Sequence, residues 1–394
     1  MNATNGEMEK ILRDDLEKLK APEGYFRAGL PKYNTLYGRD ALIVGWQMLT
    51  IDPQIAKNTL KILAKLQGKK SKIKNEEEPG KIIHEYVKFW SREGLTPKHL
   101  LSKLFLGYPY YGSADSTPLF IILAAFYFEK TGDADFLKEI WPNIEAAVNW
   151  LRYFGDKDGD GFIEYKRKNP FGLYHQAWKD TPYLFPRQPP HKISSPVAAV
   201  EIQGYAYLAY KKIAGLSKEI FGKPRKELEQ LAENLKRNFD EKFWMGDFFA
   251  FCLDGEKRPH KIYASNPGHL LFTGIIEKSR IPPFIERLTQ EDLWSPYGIR
   301  TLSSEDPSFK PDFRVQGPVF SHDNWIIIQG LKKAGYFTEA EELSSNLIKA
   351  FQCMGFMPEC FGVKKTGEII PEKMACCPQA WSSAALLDLI INNK

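Results

Sequence analysis

The feature that most constrains this chain is a helical periodicity that returns from one end to the other. Apolar residues spaced three and four apart recur near residues 7–20, 40–50, 53–68, 117–131 and 135–154. The pattern resumes near 196–213, 216–238, 265–277, 281–290, 319–334, 337–352 and 378–391, which makes about twelve helices. Start signals stand at Asp52-Pro53, Ser116-Thr117-Pro118, Ser195-Pro196, and Thr338 with Glu341 three residues on; Gly68, Gly132 and Gly335 sit where helices should stop. Between the helices lie 70–114, 155–194, 239–264 and 291–318, rich in Gly, Pro and aromatic residues. Long structured connections in a compact domain are usually functional, so these are read as one ordered rim around a cleft. The expected fold is all-α: a closed double ring, six helices inside and six outside, its loops gathered at one end, forming one catalytic domain over residues 1–394.

Composition narrows the function. Aromatic residues make up 13% of the chain, which suits a cleft that stacks on flat apolar faces such as sugar rings, although bulky core packing accounts for most of them. The 54 basic and 49 acidic residues are mostly interspersed, so no nucleic-acid partner is expected. Five cysteines, Cys252, Cys353, Cys360, Cys376 and Cys377, fit neither a disulfide framework nor a zinc spacing, and point to a reducing cytoplasm. The polar N-terminal stretch lacks the apolar centre of a secretory signal, and no window approaches a membrane span, so no membrane partner is expected.

Two loop carboxylates stand out. Asp180 lies in Tyr174-His175-Gln176-Ala177-Trp178-Lys179-Asp180-Thr181-Pro182, beside an indole that would desolvate it and raise its pKa, as a proton donor needs. It could equally cap a helix or pair with Lys179. Glu359 is the lone acid in the apolar, turn-prone stretch Met354-Gly355-Phe356-Met357-Pro358-Glu359-Cys360-Phe361-Gly362. A carboxylate there needs partners, and it either activates a water or bonds to neighbouring amides. Hydrolysis of a glycoside with inversion requires two such groups roughly 6.5–9.5 Å apart.

Other chemistries find little support. Asp156-Lys157-Asp158-Gly159-Asp160-Gly161 begins like a calcium loop, but Arg167 stands where the closing Glu belongs, so an Asp/Gly turn ordering Glu164 is the stronger reading. The seven histidines, His84, His99, His175, His191, His260, His269 and His322, form no metal spacing, and neither phosphate-binding glycine loops nor a Gly-x-Ser-x-Gly elbow is present. No metal or cofactor is expected.

Ten blocks in order from residue 37 to 381 carry a resemblance: Tyr37 to Asp40, Glu77 to Glu85, Tyr110 to Phe120, the Asp-Gly-Asp-Gly-Phe run, Gln176 to Asp180, Glu201 to Tyr205, Tyr297 to Leu302, His322-Asp323-Asn324, Pro358-Glu359 and Pro378 to Trp381. Together they resemble bacterial proteins of the amylo-α-1,6-glucosidase (glycogen-debranching-like) group and neighbouring glycoside hydrolases with an (α/α)6 barrel. The resemblance implies Asp180 as general acid and Glu359 as general base. It implies a subsite at Arg39 and Asp40 for the terminal sugar, and pocket residues at Tyr37, His84, Glu85, Tyr111, Trp178, Gln203, His322, Asp323 and Trp381. Debranching enzymes of this group generally carry an extra N-terminal domain, for which the block at residue 37 leaves no room. The layout is closer to the mannosylglycerate and glucosylglycerate hydrolases. The expected partner is therefore a small carbohydrate, with a glucosyl or mannosyl residue cleaved from a short α-glycoside. A debranching α-1,6-glucosidase, a histidine-based sugar epimerase or isomerase, and an inactive sugar-binding protein remain the alternatives.

Overall fold

A computed structural model describes residues 4–87, 104–180 and 193–392. His99, His191, Thr181 and Pro182 lie outside the described residues. Twelve α-helices are found among those described: α1 (Asn5–Leu19), α2 (Gly38–Gln47), α3 (Pro53–Leu66), α4 (Ser116–Thr131), α5 (Ala134–Trp150) and α6 (Val200–Phe221), followed by α7 (Lys226–Phe243), α8 (Leu270–Thr273), α9 (Ile281–Leu288), α10 (Ser321–Ala334), α11 (Phe337–Met354) and α12 (Ala380–Asn392).

The even-numbered helices close a ring. α2 packs on α4, α4 on α6, α6 on α8, α8 on α10, α10 on α12, and α12 returns to α2. The odd-numbered helices lie outside: α3 against α2 and α4, α5 against α4, α7 against α6, α11 against α10 and α12, and α1 against α12. Phe284 of α9 packs on Phe248 and Phe249 in the connection after α7. This is an (α/α)6 barrel. The two layers have different surfaces: α4 is apolar almost all round and buried along most of its length, whereas α7 buries Leu228, Ala232, Leu235, Phe239 and Phe243 at spacings of three and four and exposes charges. None of the described helices is long and apolar enough to cross a membrane.

Several ends differ from the sequence expectation for local reasons. The stretch expected as helices 196–213 and 216–238 breaks instead at Gly222, whose φ of 65° caps α6 in the left-handed region. Ser195-Pro196 starts no helix, because α6 begins at Val200 after a two-residue strand. Thr338 lies inside α11 rather than capping it, since Tyr336 holds the N-cap position. The helix expected over 265–277 is a 3-10 turn, Asn266–His269, followed by the short α8, which Gly274 terminates at φ 82°.

Short antiparallel strands stitch the connections to the ring. β1 (Leu36–Tyr37) pairs with β2 (Glu85–Tyr86), with Tyr37 opposite Glu85. β3 (Ala198–Ala199), β4 (Cys252–Leu253) and β5 (Pro259–His260) form a sheet, and β6 (Trp294–Ser295) pairs with β7 (Gly298–Ile299). β8 (Val319–Phe320) joins β9 (Cys360–Val363) and β10 (Ile369–Pro371) in the order β10-β9-β8. β1, β3 and β8 run directly into α2, α6 and α10.

Amide side chains near the starts of two inner helices fix the connections laid against them. Gln203 accepts from the Ile163 N–H (2.8 Å) and donates to the carbonyls of Ile163 (2.7 Å) and Ala199 (3.0 Å). Asn324 does the same in α10, accepting from the Ile299 N–H (2.6 Å) and donating to the carbonyls of Ile299 (3.1 Å) and Phe320 (2.9 Å). Gln203→Leu leaves the Ile163 amide and carbonyl buried without this partner and should lower stability by about 2–4 kcal/mol. Urea unfolding of the variant measures this, and an unchanged midpoint would refute the role.

Candidate active site

At the end where the inner helices begin lies a cavity of about 380 Å³, in the usual range for ligand pockets. One wall is built from the first turn of α2. Gly38 donates its N–H to the His84 carbonyl at 2.9 Å, and a Cβ there would sit 2.1 Å from the Ile83 carbonyl oxygen, so only glycine permits this approach. That contact brings Arg39, Asp40, His84 and Glu85 to one wall.

Arg39 is 4% exposed. It donates through Nη1 to Asp115 Oδ2 (2.8 Å) and through Nη2 to Asp180 Oδ2 (2.7 Å). Asp115 is itself held by Ser113 Oγ at 2.5 Å. Burial disfavours the guanidinium charge, but Asp115, Asp180 and Asp40 more than offset it and raise the pKa. Lys179 does not compete for Asp180, because its buried ammonium donates to the Thr301 carbonyl at 2.6 Å. Burial lowers the Lys179 pKa to about 8.

Four carboxyl groups in this cavity, Asp40, Asp180, Glu359 and Glu372, are held above their ordinary range. Burial is the first cause for each. Asp180 keeps a third of its side-chain surface open to the cavity yet lies deep in the protein, and burial lifts its pKa despite the pull of Arg39. Asp40 is raised to about 7 by burial, against Arg39 and with the fields of Asp180 and Glu359. Glu359 is raised to about 7 by burial, is drawn down by the Cys376 N–H on its Oε2 (3.1 Å), and is pushed up by Glu372 and Asp180. Glu359 reaches the cavity from the start of β9, whereas Asp180 comes from the connection between α5 and α6.

The cavity brings together Tyr37, Arg39, Asp40, His84, Glu85, Trp178, Asp180, Glu359 and Trp381. Four residues picked from the sequence stand elsewhere. Tyr111 turns its hydroxyl to the Leu66 carbonyl (2.8 Å), while its neighbour Tyr110 lines the cavity. Gln203 is spent on backbone, as described above. His322 lies behind the wall, stacked on Trp381 with ring centroids 3.7 Å apart and edge-on to Trp178 at 5.1 Å. Asp323 accepts from His269 Nε2 at 2.7 Å, and His269 Nδ1 meets the Tyr205 hydroxyl at 2.6 Å, all in the barrel interior. The cavity also uses Tyr33, Tyr108, Tyr110, Arg314 and Glu372, which the sequence reading did not single out. Of the four long connections, 239–264 contributes no cavity residue among those described.

The acidic loop at Asp156 holds an internal cation. Lys257 Nζ lies 2.9 Å from Asp158 and 2.7 Å from Asp160 and also pairs with Glu164. Asp156 accepts from the Gly159 and Gly161 N–H groups at 2.7 and 3.0 Å, which makes it the turn-former of this loop.

A barrel of paired helices with a carboxylate-lined cavity above its inner helix starts is the architecture of a class of glycoside hydrolases. The sequence profile of the amylo-alpha-1,6-glucosidase family matches residues 63–388, and the chain belongs to that family. A probable mannosyl-oligosaccharide glucosidase of Schizosaccharomyces pombe is 25% identical over 219 residues, which cover 50% of this chain and 26% of that longer protein. The fold is shared with the mannosylglycerate hydrolase of Thermus thermophilus solved with Tris (TM-score 0.74, 16% identity, 98% of this chain and 100% of the other). The same Thermus enzyme solved with glucose gives a TM-score of 0.73 at 15% identity, over 98% of this chain and 99% of the other.

The raised carboxyls have a consequence for stability. Glu359 and Asp40 keep their protons to about pH 7 when folded, against ordinary values of 4.5 and 3.8. The folded state therefore binds more protons than the unfolded chain between about pH 4 and 7, and stability falls as pH rises through that window. Glu359→Gln should flatten this slope. Urea unfolding at several pH values measures it, and an unchanged slope would show that burial does not hold the Glu359 proton.

Proposed function

We propose that the protein hydrolyses a terminal α-linked glucosyl or mannosyl residue from a small glycoside with inversion of the anomeric carbon. The observation that carries this reading is that Asp180 and Glu359, from separate connections, line one cavity together with Arg39 and Asp40. The family supports a glycosidase, and the related Thermus enzyme acts on mannosylglycerate by its name and has been solved with glucose bound.

In this mechanism the two carboxyls have opposite tasks. Asp180, whose pKa burial raises, gives its proton to the glycosidic oxygen as the bond to the anomeric carbon breaks. The carboxylate left behind is already hydrogen-bonded to Arg39, so the negative charge appears where a cation waits for it. Glu359 in its ionised form takes a proton from water, whose oxygen bonds the anomeric carbon from the opposite face. Asp40, beside Arg39 in the cavity lining, hydrogen-bonds the hydroxyls of the terminal sugar in this reading. His84 is a poor base here, because burial first and Arg39 second depress its pKa well below the ordinary range.

The first test is turnover of α-linked disaccharides, maltooligosaccharides and glycosylglycerates by the purified protein, with free sugar detected. The pH profile of kcat/KM should be a bell whose rising limb, set by Glu359, passes through about pH 7. Asp180→Asn should remove the falling limb and lower turnover of poor leaving groups by roughly 10²–10⁴-fold. Wild-type turnover of an alkyl glycoside by that variant would exclude Asp180 as the acid.

Stereochemistry tests the pairing separately. One displacement by water inverts the centre, so an α-glycoside should release the β-anomer first, which proton NMR can follow before mutarotation. Glu359→Gln should abolish turnover without accumulating a glycosyl-enzyme. Initial release of the α-anomer would replace Glu359's role as a base with that of a nucleophile on a shorter carboxyl separation, roughly 5–5.5 Å.

A further inference from the structure

Glu76, Glu77 and Glu78 stand in a row before Pro79, and all three are buried. A carboxylate out of water needs partners, and each of the three has its own. Glu77 accepts from the N–H groups of Lys69 and Lys70 in the same connection, at 2.9 and 3.1 Å. Glu78 accepts from Trp150 Nε1 at 2.7 Å and from Lys168 Nζ at 2.6 Å. Glu76 differs from both. Its φ of 57° lies in the left-handed region that L-residues rarely adopt, and its side chain is sealed from solvent. Its Oε1 accepts from the N–H groups of Lys168 and Asn169, both at 3.1 Å, and its Oε2 accepts from Gln176 Nε2 at 2.5 Å. One carboxylate from the connection before α4 thus grips the segment 168–176, between α5 and α6, at both of its ends.

The segment held in this way carries part of the cavity lining. Phe171 and Leu173 line the cavity beside Tyr110 from the other connection, and the Tyr110 hydroxyl accepts from the Leu173 N–H at 2.8 Å. Asn169 adds a second tie, donating to the carbonyls of Lys74 (2.6 Å) and Phe105 (2.9 Å). Gly172 lets the two connections meet, since a Cβ there would lie 2.4 Å from Glu76 Oε1 and 2.8 Å from the Tyr110 hydroxyl oxygen. Glu76 itself does not line the cavity. It stands behind the wall and fastens it. Asp180, further along the same connection, is fastened by other groups: Arg39 holds its carboxylate, and Lys179 before it donates to the Thr301 carbonyl.

We propose that Glu76 is a positioning residue: its buried carboxylate sets the wall of Phe171, Leu173 and Tyr110 against which the substrate binds, and so governs affinity and not the proton transfers. The proposal rests on the hydrolase reading above and adds to it a residue outside the cavity. The chemistry of the wall fixes this division. Phenyl and leucyl side chains have no proton to give or take, so their contacts with a substrate change little between the ground state and the transition state. Losing such contacts raises KM and leaves kcat in place. The acid answers to Arg39 instead, so disturbing Glu76 leaves its titration alone.

The test exchanges the two partners. In Glu76→Gln the amide oxygen can still take the two backbone N–H groups, but its NH2 meets the NH2 of Gln176, donor against donor. Gln176→Glu sets two carboxylates face to face. Each single variant should raise KM for a cleaved α-glycoside roughly 5–50-fold, as one buried hydrogen bond left unmade costs. In both, kcat should stay within about threefold of wild type and the falling limb of the pH profile should not move. The double variant Glu76→Gln/Gln176→Glu remakes the carboxylate–amide bond with the roles reversed and should bring KM back to within about threefold of wild type. A fall in kcat at unchanged KM, a shifted falling limb, or a double variant no better than the singles overturns the proposal. Phe171→Ala serves where the Glu76 variants do not fold, because that side chain is 64% exposed and dispensable to the core. It should raise KM with kcat kept, and an unchanged KM overturns the proposal. If no glycoside is cleaved, the hydrolase reading fails, and calorimetric titration with maltotriose decides about Glu76. Binding that Glu76→Gln weakens and the double variant restores supports the positioning role, and equal or absent binding refutes it.

Discussion

Everything in this structure depends on six inner helices that begin at the same end of one ring. Each helix start leaves N–H groups without intrahelical partners and carries the positive end of the helix dipole. Collected around one axis, these starts make a place where buried acids can be kept. Asp40 stands in the first turn of α2, Asp115 holds the N-cap position of α4 without capping it through its side chain, Glu201 opens α6 and Asp323 opens α10. Burial in a helical ring would otherwise exclude so many carboxyls. Among the described residues the outer helices add no side chain to the cavity; they pack against the inner ring.

Within that ring Arg39 is the residue that converts a collection of acids into an ordered site. It spans Asp115, fixed to α4, and Asp180, at the end of a long connection. One side chain thus ties two inner helices and the proposed acid to the same point. A buried charge with two partners is costly to disturb from any side, because removing one partner strands another charge. The geometry of Asp180 is therefore set by the barrel core and not by its own loop.

The architecture was legible in the sequence because an amphipathic helix repeats its pattern over many residues, and most of the helix positions agree with the pattern within a few residues. The errors fall where one residue decides. Gly222 and Gly274 stop helices by adopting left-handed φ, a choice that periodicity does not encode. The site was legible at Arg39, Asp40, Trp178, Asp180, Glu359 and Trp381 as positions on the cavity, since short motifs bring their neighbours with them. Parity was not. Tyr110 and Tyr111 lie in extended chain, where adjacent side chains face opposite ways, so one lines the cavity and the other reaches Leu66. His322 and Asp323 lie in the first turn of α10, where His322 stacks behind Trp381 and Asp323 meets His269 inside the barrel. Arg314 and Glu372 lie in loops with no recognisable motif, and only the folded chain brings them to the wall.

Internal cations explain why acid-rich motifs in this chain resist reading from sequence alone. The loop at Asp156 carries acids in an ion-binding order, yet the charge that meets them is Lys257, about a hundred residues away in sequence. Asp180 stands next to Lys179, yet its counter-charge is Arg39 from α2, while Lys179 turns to a backbone carbonyl. In both cases the local sequence offers a plausible partner and the fold supplies a distant one. The difference matters for catalysis. A lysine beside Asp180 would move with the same loop, whereas Arg39 is clamped to Asp115 in the core. The same burial that raises the Asp180 and Glu359 pKa values suits the roles proposed for them as proton donor and water-activating base. The site therefore spends folding stability at the point where reactivity is needed, and the closed ring of helices beneath it makes that tolerable.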